Sequence, residues 1–562
     1  MKKEKVFVFL LFVAFIVLCC YPVFINLGDL SARKWDESRN GINAMEMLYN
    51  HTFFVTTFDN IPDMWNTKPP LFIWMTALSM KLFGTTMFAL RLPSALSCIA
   101  IAIYSFWFFK NRFQSVVAAF TSGLVLATSI GFIDYHVARN GDFDAMLSMW
   151  IFFYSTQFFL YFEFKKQKNL IWASFFLALA ILTKGVAGCL VLPGVFVFMF
   201  TKREYLSLFK TKSFYIIPAL GVLLGVSYYF IREQFNPGYI NAVLENEITG
   251  RYAETNEGHT GGVFYYFDLL KGAHYKFWIY CLPLSLIFVF VRAEKQLKRL
   301  CFFLFIQILF YWIVITISHT KLPWYDAPFF AFFAGIIALG LNQLYVEINN
   351  TSFIKSTIVK PFLFVFICFS IFIVPTKNIF ATSIIGEKET YYPEHFYGDF
   401  TASVYSLFPA QKKLTIVSED YNPHLLFYVH ILKHQGKEVN VVPPANKFVE
   451  NDTFLVCEPI MYPKADSTFA YDTLYQEDKI KFFIRIISKA EFFQKKAERL
   501  FQSKILEIKG NSEWSSSIKK KAEEKNMSYE KQVMLDALWT LKEAKMISEE
   551  ENNFLILKFK LF

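Results

Sequence analysis

Long apolar runs, recurring from the N-terminus to about residue 375, decide what this chain can fold into. The first, Val6–Leu27, follows Met-Lys-Lys-Glu-Lys. Ten more come after it: Phe88–Phe109, Ser115–Ile133, Ala145–Phe162, Leu170–Leu182, Gly185–Phe200, Ser213–Ile231, Phe277–Val291, Leu300–Ser318, Trp324–Leu341 and Pro361–Pro375. A helix of about 20 apolar residues spans a bilayer, and lipid forces every backbone group to be satisfied within the helix. The sequence therefore predicts a polytopic α-helical membrane protein with about 11 transmembrane helices. Val6–Leu27 lacks an A-x-A-like cleavage site and reads as an uncleaved first span. Composition agrees: charged residues make up 19%, against roughly 25% in soluble chains. The net charge of +10 could suggest nucleic acid. However, Lys and Arg gather in short loops between the runs, where they set orientation rather than form a binding face. Seven cysteines lie inside apolar runs and Cys457 stands in the tail, so neither a disulfide framework nor a metal motif is formed.

Charge alternation orders the crossings. Leu170–Leu182 and Gly185–Phe200 are short. Lys165, Lys166 and Lys168 precede this pair, and Lys202 and Arg203 follow it. Keeping both clusters cytoplasmic requires an even number of passes between them, with Lys184 at the outer turn. Lys2, Lys3, Lys5, Lys110, Arg112, Arg292, Lys295, Lys298 and Arg299 join the same side. The N-terminus is thus expected in the cytoplasm of a bacterial-type cell, the chain in its inner membrane and the C-terminal domain outside. The organisation reads as a membrane domain over 1–375, with large outer loops at 28–87 and 232–276. A small soluble α/β domain over 376–488 and a charged helical tail over 489–562 complete it. In the α/β domain, Leu414–Val417, Val439–Val442, Phe454–Cys457 and Phe482–Ile487 read as strands and His424–Lys433 as a helix. In the tail, Ile518–Lys525 and Glu530–Lys545 read as helices, the latter behind Ser528 as N-cap.

No ionisable residue falls in the middle of a run, whereas transporters that relay protons or ions mark their paths with such residues. Charged and polar groups gather instead at the outer helix ends and loops: Asp36, Glu37, Arg39, Lys68, Arg139, Asp142, Asp144, Lys184, Arg251, His259, His319, Lys321 and Tyr325. Carboxylates beside cations at that level suit an anionic lipid headgroup and a hydroxyl awaiting activation. Other readings of the same residues are structural, such as a helix N-terminal acid at Asp36 or a snorkelling lysine at Lys68.

The order of motifs is more specific. Trp35-Asp36-Glu37-Ser38-Arg39 opens the first outer loop. Asn66-Thr67-Lys68-Pro69-Pro70-Leu71 and Arg91-Leu92-Pro93-Ser94 follow. Ala138-Arg139-Asn140-Gly141-Asp142-Phe143-Asp144, Leu182-Thr183-Lys184-Gly185 and Thr320-Lys321-Leu322-Pro323-Trp324-Tyr325 complete the series. Over about residues 1 to 345 the chain resembles the GT-C glycosyltransferases that use polyprenyl-phosphate sugars, above all the bacterial lipid A aminoarabinose transferases and the protein O-mannosyltransferases.

The resemblance implies an enzyme that moves a sugar from a polyprenyl-phosphate donor to an extracytoplasmic lipid, glycan or protein by inverting single displacement. Asp36 would be the catalytic base. Lys68, Lys321, Tyr325 and Arg251 would hold the donor's phosphate or sugar. Glu37, Arg39, Arg139, Asp142, Asp144 and Lys184 would be further substrate contacts. A divalent metal is the one cofactor the resemblance allows, with His259 as a candidate ligand. The acidic residue that often precedes Lys-Pro-Pro in relatives is Thr67 here, and the usual aromatic after the arginine is Asn40. The rival readings are a lipid or polysaccharide transporter and a non-catalytic envelope assembly protein; a transporter would carry inverted repeats and paired broken helices.

Overall fold

The computed structural model describes residues 2–134, 136–253, 258–386, 413–418, 422–443, 450–456, 470–477 and 481–561. Cys457 and the end of the strand expected at Phe454–Cys457 lie outside these residues. The chain separates into two compact units, Met1–Asp399 with Pro423–Ile431, and Phe400–Asn422 with Leu432–Phe562.

The first unit is helical. Its elements are α1 (Lys2–Phe24), α2 (Asp36–Asn50), α3 (Leu71–Phe83), α4 (Met87–Phe113), α5 (Val116–Ala127), α6 (Phe143–Phe164), α7 (Gln167–Lys184), α8 (Leu192–Met199), α9 (Lys212–Phe235), α10 (Phe277–Arg292), α11 (Lys295–Ile317), α12 (Phe329–Asn350) and α13 (Val359–Ile379). Among the described residues, eight helices are long and apolar enough to cross a membrane. A ninth span results if Tyr265–His274 and α10, bent by 112°, are counted as one. The expected count of eleven is therefore not reached by length and composition. The two missing spans are α5, of 12 residues, and α8, of 8. Both are walled in by protein: α5 packs at Gly123 against Phe15 and Cys19, and Phe198 of α8 is buried against Phe159 and Phe303. Short or irregular backbone is tolerated at membrane depth where neighbouring protein encloses it.

The pass around Lys184 doubles back. Gly185 takes φ +56°, where a Cβ would meet the Tyr229 hydroxyl, and a 3₁₀ segment over Gly185–Cys189 links α7 to α8. Beyond α8, Tyr205 donates to Glu163 at the end of α6, and Glu163 also accepts from Arg299 Nε at 2.7 Å and Nη2 at 2.8 Å. These bonds tie the segment that follows α8 to the end of α6 and the start of α11. Helices α7 and α9 approach closely through Gly221 and Gly225. A Cβ at these positions would lie 2.5 Å from Ser174 O and 2.7 Å from Ile181 Cβ, so only glycine allows the contact.

The segment between α1 and α4 is folded rather than loose. Strands β1 (Thr57–Phe58) and β2 (Ile61–Pro62) form a small antiparallel hairpin after α2. Asp63 ties the loop together, accepting from Arg39 Nε at 2.8 Å, Arg39 Nη2 at 2.7 Å, Asn43, and the backbone of Trp65 and Asn66. Buried Arg232 of α9 adds hydrogen bonds to Thr56 and to the Asp63 carbonyl. Pro423–Ile431, the larger part of helix α14 (Pro423–His434), also belongs to this unit.

The second unit contains a five-stranded sheet of β3 (Lys413–Val417), β4 (Glu438–Val442), β5 (Thr453–Val456), β6 (Tyr471–Glu477) and β7 (Lys481–Ile486), in the order β4-β3-β5-β7-β6. The β3 pairings with β4 and β5 are parallel, and β7 pairs antiparallel with β5 and β6. The edge strand β6, polar at every second position or more, escapes a search for apolar runs. Four helices follow: α15 (Lys489–Gly510), α16 (Ser512–Glu524), α17 (Tyr529–Glu543) and α18 (Glu549–Phe559). Ser488, Asn511, Ser528 and Ser548 cap their N-termini, Ser548 in a capping box with Glu551.

Candidate active site

The loop after α1 places two acids in succession at the start of α2, and they have opposite surroundings. Glu37 is fully buried. Arg91 of α4 donates to it from Nε at 2.8 Å and from Nη2 at 2.9 Å, and also to the carbonyls of Leu27, Leu30 and Ser31. The amides of Gly141 and Arg33 donate to Glu37 as well. Burial alone would raise its carboxyl, but the charge and hydrogen bonds of Arg91 outweigh burial and hold it below the ordinary range. Asp36 is only partly buried, and no hydrogen bond or ion pair from the described residues reaches its carboxylate. Of the pair, Asp36 is the one open to a substrate.

Beside it stands the N-terminus of α6. Asp142 caps that helix, accepting from Phe143 N at 2.7 Å, and its other oxygen meets His136 Nδ1 at 2.7 Å. Burial would raise Asp142, but the hydrogen bond and charge of His136, together with Lys184, hold it down. The His136 ring stacks on Trp324 at 3.8 Å between centroids. Ligand atoms of Asp36, His136 and Asp142 all lie within 4.8 Å of one another. This is the described group whose geometry fits a divalent cation. His259 is not part of it; its carbonyl accepts from Lys321 N.

Two residues along α6, Asp144 faces a different space. A narrow cleft is lined by Lys68, Asp144, Lys184, Tyr229, Glu247 and Tyr325, among mostly apolar neighbours. Lys184 Nζ donates to both oxygens of Asp144 at 2.7 Å and lies 5.6 Å from the Tyr325 ring centre. Lys68 is held more loosely. Its Nζ reaches Asn66 Oδ1 at 3.3 Å and Glu247 Oε1 at 4.0 Å, above the Phe143 ring. Pro69 and Pro70 follow it and start α3, fixing the loop that presents it. The segment Asp142-Phe143-Asp144 thus joins the Asp36 group to the cleft.

The remaining expected site residues serve the scaffold or the rim. Arg39 is spent on Asp63 and covers the Phe58 ring. Arg139 donates to the carbonyls of Pro22, Val23 and Ile25 at the end of α1. Lys321 Nζ donates to Thr316 O at 2.7 Å and Ser318 O at 2.6 Å, closing the C-terminus of α11 instead of lining the cleft. Arg251 falls in the π-helical segment Leu244–Ala253, with its side chain outside the described residues. His319 is exposed. Sequence reasoning missed His136, Glu247 and Arg232. His136 could have been noticed three residues before Arg139. Glu247, in a loop of ordinary composition, gave no signal, yet it meets Thr67 Oγ1 at 3.3 Å. A carboxylate therefore stands next to Thr67, just before Lys68.

These features define a polytopic helical membrane protein with a charged cleft beside the helix ends. Residues 67–230 match the family described as dolichyl-phosphate-mannose-protein mannosyltransferase. The chain is similar to the undecaprenyl phosphate-alpha-4-amino-4-deoxy-L-arabinose arabinosyl transferases of Wigglesworthia glossinidia brevipalpis and Shewanella sediminis (strain HAW-EB3). The first is 24% identical over 70% of this chain and 68% of its own length. The second is 28% identical over 59% of each. The chain thus spans about six to seven tenths of these relatives' length. The crystal structure of ArnT from Cupriavidus metallidurans bound to undecaprenyl phosphate shares the fold, with a TM-score of 0.63 at 16% identity over 85% of this chain and 98% of that one.

Proposed function

We infer that this chain is a membrane glycosyltransferase that moves a sugar from a polyprenyl-phosphate donor to an acceptor outside the cytoplasm. The observation that carries the reading is the pairing of the Asp36 carboxylate, which no hydrogen bond or ion pair among the described residues engages, with a cleft holding Lys68, Lys184 and Tyr325 across one helix N-terminus. Polyprenyl-phosphate donors suit the names of the curated relatives, and the related crystal structure holds undecaprenyl phosphate.

In this reading Lys68, with Lys184 and Tyr325 behind it, meets the donor phosphate. Asp36 takes the acceptor's proton as the acceptor oxygen attacks the anomeric carbon. The bond from that carbon to the phosphate oxygen breaks, its electron pair leaves on polyprenyl phosphate, and the configuration inverts. Charge stabilisation confined to the departing phosphate raises the rate rather than merely tightening binding. The N-terminus lies in the cytoplasm of a bacterial-type inner membrane and the C-terminal unit outside.

The test offers purified protein a panel of radiolabelled polyprenyl-phosphate sugars with lipid, glycan and peptide acceptors. Label moving to an acceptor with release of polyprenyl phosphate supports the reading. Binding of donors without transfer to any acceptor overturns it.

A further inference from the structure

We propose that Phe427, Tyr428 and His430 are positioning residues for sugar transfer: they brace the helix that carries Asp36. The proposal rests on the glycosyltransferase reading and adds residues far from the motif series. Tyr428 Oη accepts a hydrogen bond of 2.7 Å from Ala32 N, four residues before Asp36. The Phe427 ring, fully buried, lies directly on Gly41 in the middle of α2, where an added Cβ would come within 2.6 Å of it. His430 Nε2 lies 3.6 Å from Glu46 Oε1, near the end of the same helix, and 3.9 Å from Asp59 Oδ1 on the hairpin. Three side chains within four residues therefore touch α2 before its start, at its middle and near its end.

Glu37 and Arg91 fix the first turn of α2 to α4 and Gly141. Asn40 adds a hydrogen bond to the Gly141 carbonyl, and Arg39 and Asn43 tie the helix to Asp63. Phe427, Tyr428 and His430 add support from a segment remote in the chain, while among the described residues no hydrogen bond holds the Asp36 carboxylate itself. A displacement of about 1 Å at a reacting group costs about 10²-fold in rate. A brace on the rest of the helix therefore acts on turnover more than on donor binding, because the donor phosphate sits with Lys68 in the cleft. Burial pushes the Tyr428 phenol up to about 12, so its hydroxyl stays neutral across the working range.

The experiment compares Tyr428→Phe with wild type in full-length protein, measuring thermal melting, polyprenyl-phosphate affinity and the turnover and KM for donor in sugar transfer. The expected result is unchanged melting and donor affinity with turnover reduced about tenfold or more. Equal turnover, or turnover lost only in step with donor affinity and melting, overturns the brace. Gly41→Ala drives a methyl into the Phe427 ring, and Phe427→Leu makes room for it. Partial recovery of turnover in the double variant over Gly41→Ala alone supports the contact, and no recovery in a folded double variant overturns it. Should wild type transfer sugar to no acceptor, the glycosyltransferase reading fails; should wild type transfer while the variants match it, the brace alone fails.

Discussion

Replacing Lys68 separates donor binding from fold more cleanly than any other change in the cleft. Among the described residues its ammonium has one hydrogen bond, of 3.3 Å, and an acidic neighbour at 4.0 Å. Contacts this loose, partly open to solvent, are worth less than about 1 kcal/mol to folding, so Lys68→Ala should melt within a few degrees of wild type. A phosphate oxygen brought into direct contact forms a charge-assisted hydrogen bond worth about 1.5–3 kcal/mol, or about 10- to 100-fold in affinity. Glu247 opposes that contact, since it faces the same ammonium and repels a second anion. Glu247→Gln should therefore tighten polyprenyl phosphate several-fold. Equilibrium binding of radiolabelled polyprenyl phosphate to detergent-solubilised protein reads both variants beside wild type. Unchanged affinity in a folded Lys68→Ala variant would refute the placement of the phosphate. Weaker binding in Glu247→Gln would show that the carboxylate holds the donor instead of competing with it.

Three further outcomes follow from the same geometry. Glu37→Gln breaks a buried pair and leaves Arg91 uncompensated, at a cost of about 3–5 kcal/mol, read as a lowered melting temperature. In wild type the depressed Glu37 carboxyl stabilises the fold above the ordinary carboxylate range, and that share is lost as pH falls toward its folded value; acid resistance equal in wild type and Glu37→Gln would contradict this. Chelation by EDTA should change single-turnover transfer less than about twofold, since Lys68 and Lys184 supply the charge that meets the phosphate. A loss that Mn²⁺ or Zn²⁺ restores, but not in His136→Ala, would instead place a working cation on Asp36, His136 and Asp142. A reporter active only outside the cytoplasm, fused after Phe562, should be active, and a cytoplasmic reporter there silent; the reverse would overturn the orientation.

What the sequence made legible was what depends on local pattern. The runs that became α1, α4, α6, α7, α9, α11, α12 and α13 announce themselves by length and hydropathy. The crossing count was less accessible, because α5 and α8 are made possible by the protein around them rather than by their own length. Within the cleft, Lys68, Asp144, Lys184 and Tyr325 were visible from their motifs. Which acid of the Asp36–Glu37 pair is open was decided by Arg91, 54 residues away. The competitor of Lys68, Glu247, and the support of α2, Tyr428, come from 179 and 396 residues along the chain, from Lys68 and Ala32 respectively. Pairings of that range leave no trace in a single sequence. Lys321 and Arg139 stand in family-like motifs and still cap helix ends, since an outer cation satisfies stray carbonyls as readily as it meets a phosphate.

The central claim is that Asp36 removes the acceptor's proton while the cleft holds the donor, and single-turnover transfer by Asp36→Asn tests it most directly. The substitution keeps the shape and hydrogen-bonding capacity of the side chain and removes its proton-accepting charge. Loss of a general base costs about 10²–10⁴ in rate. The predicted result with a hydroxyl acceptor is a fall within that range, with polyprenyl-phosphate affinity and melting unchanged. Transfer by Asp36→Asn at more than about a tenth of the wild-type rate would contradict the claim and pass the role to another carboxylate, Asp144 first.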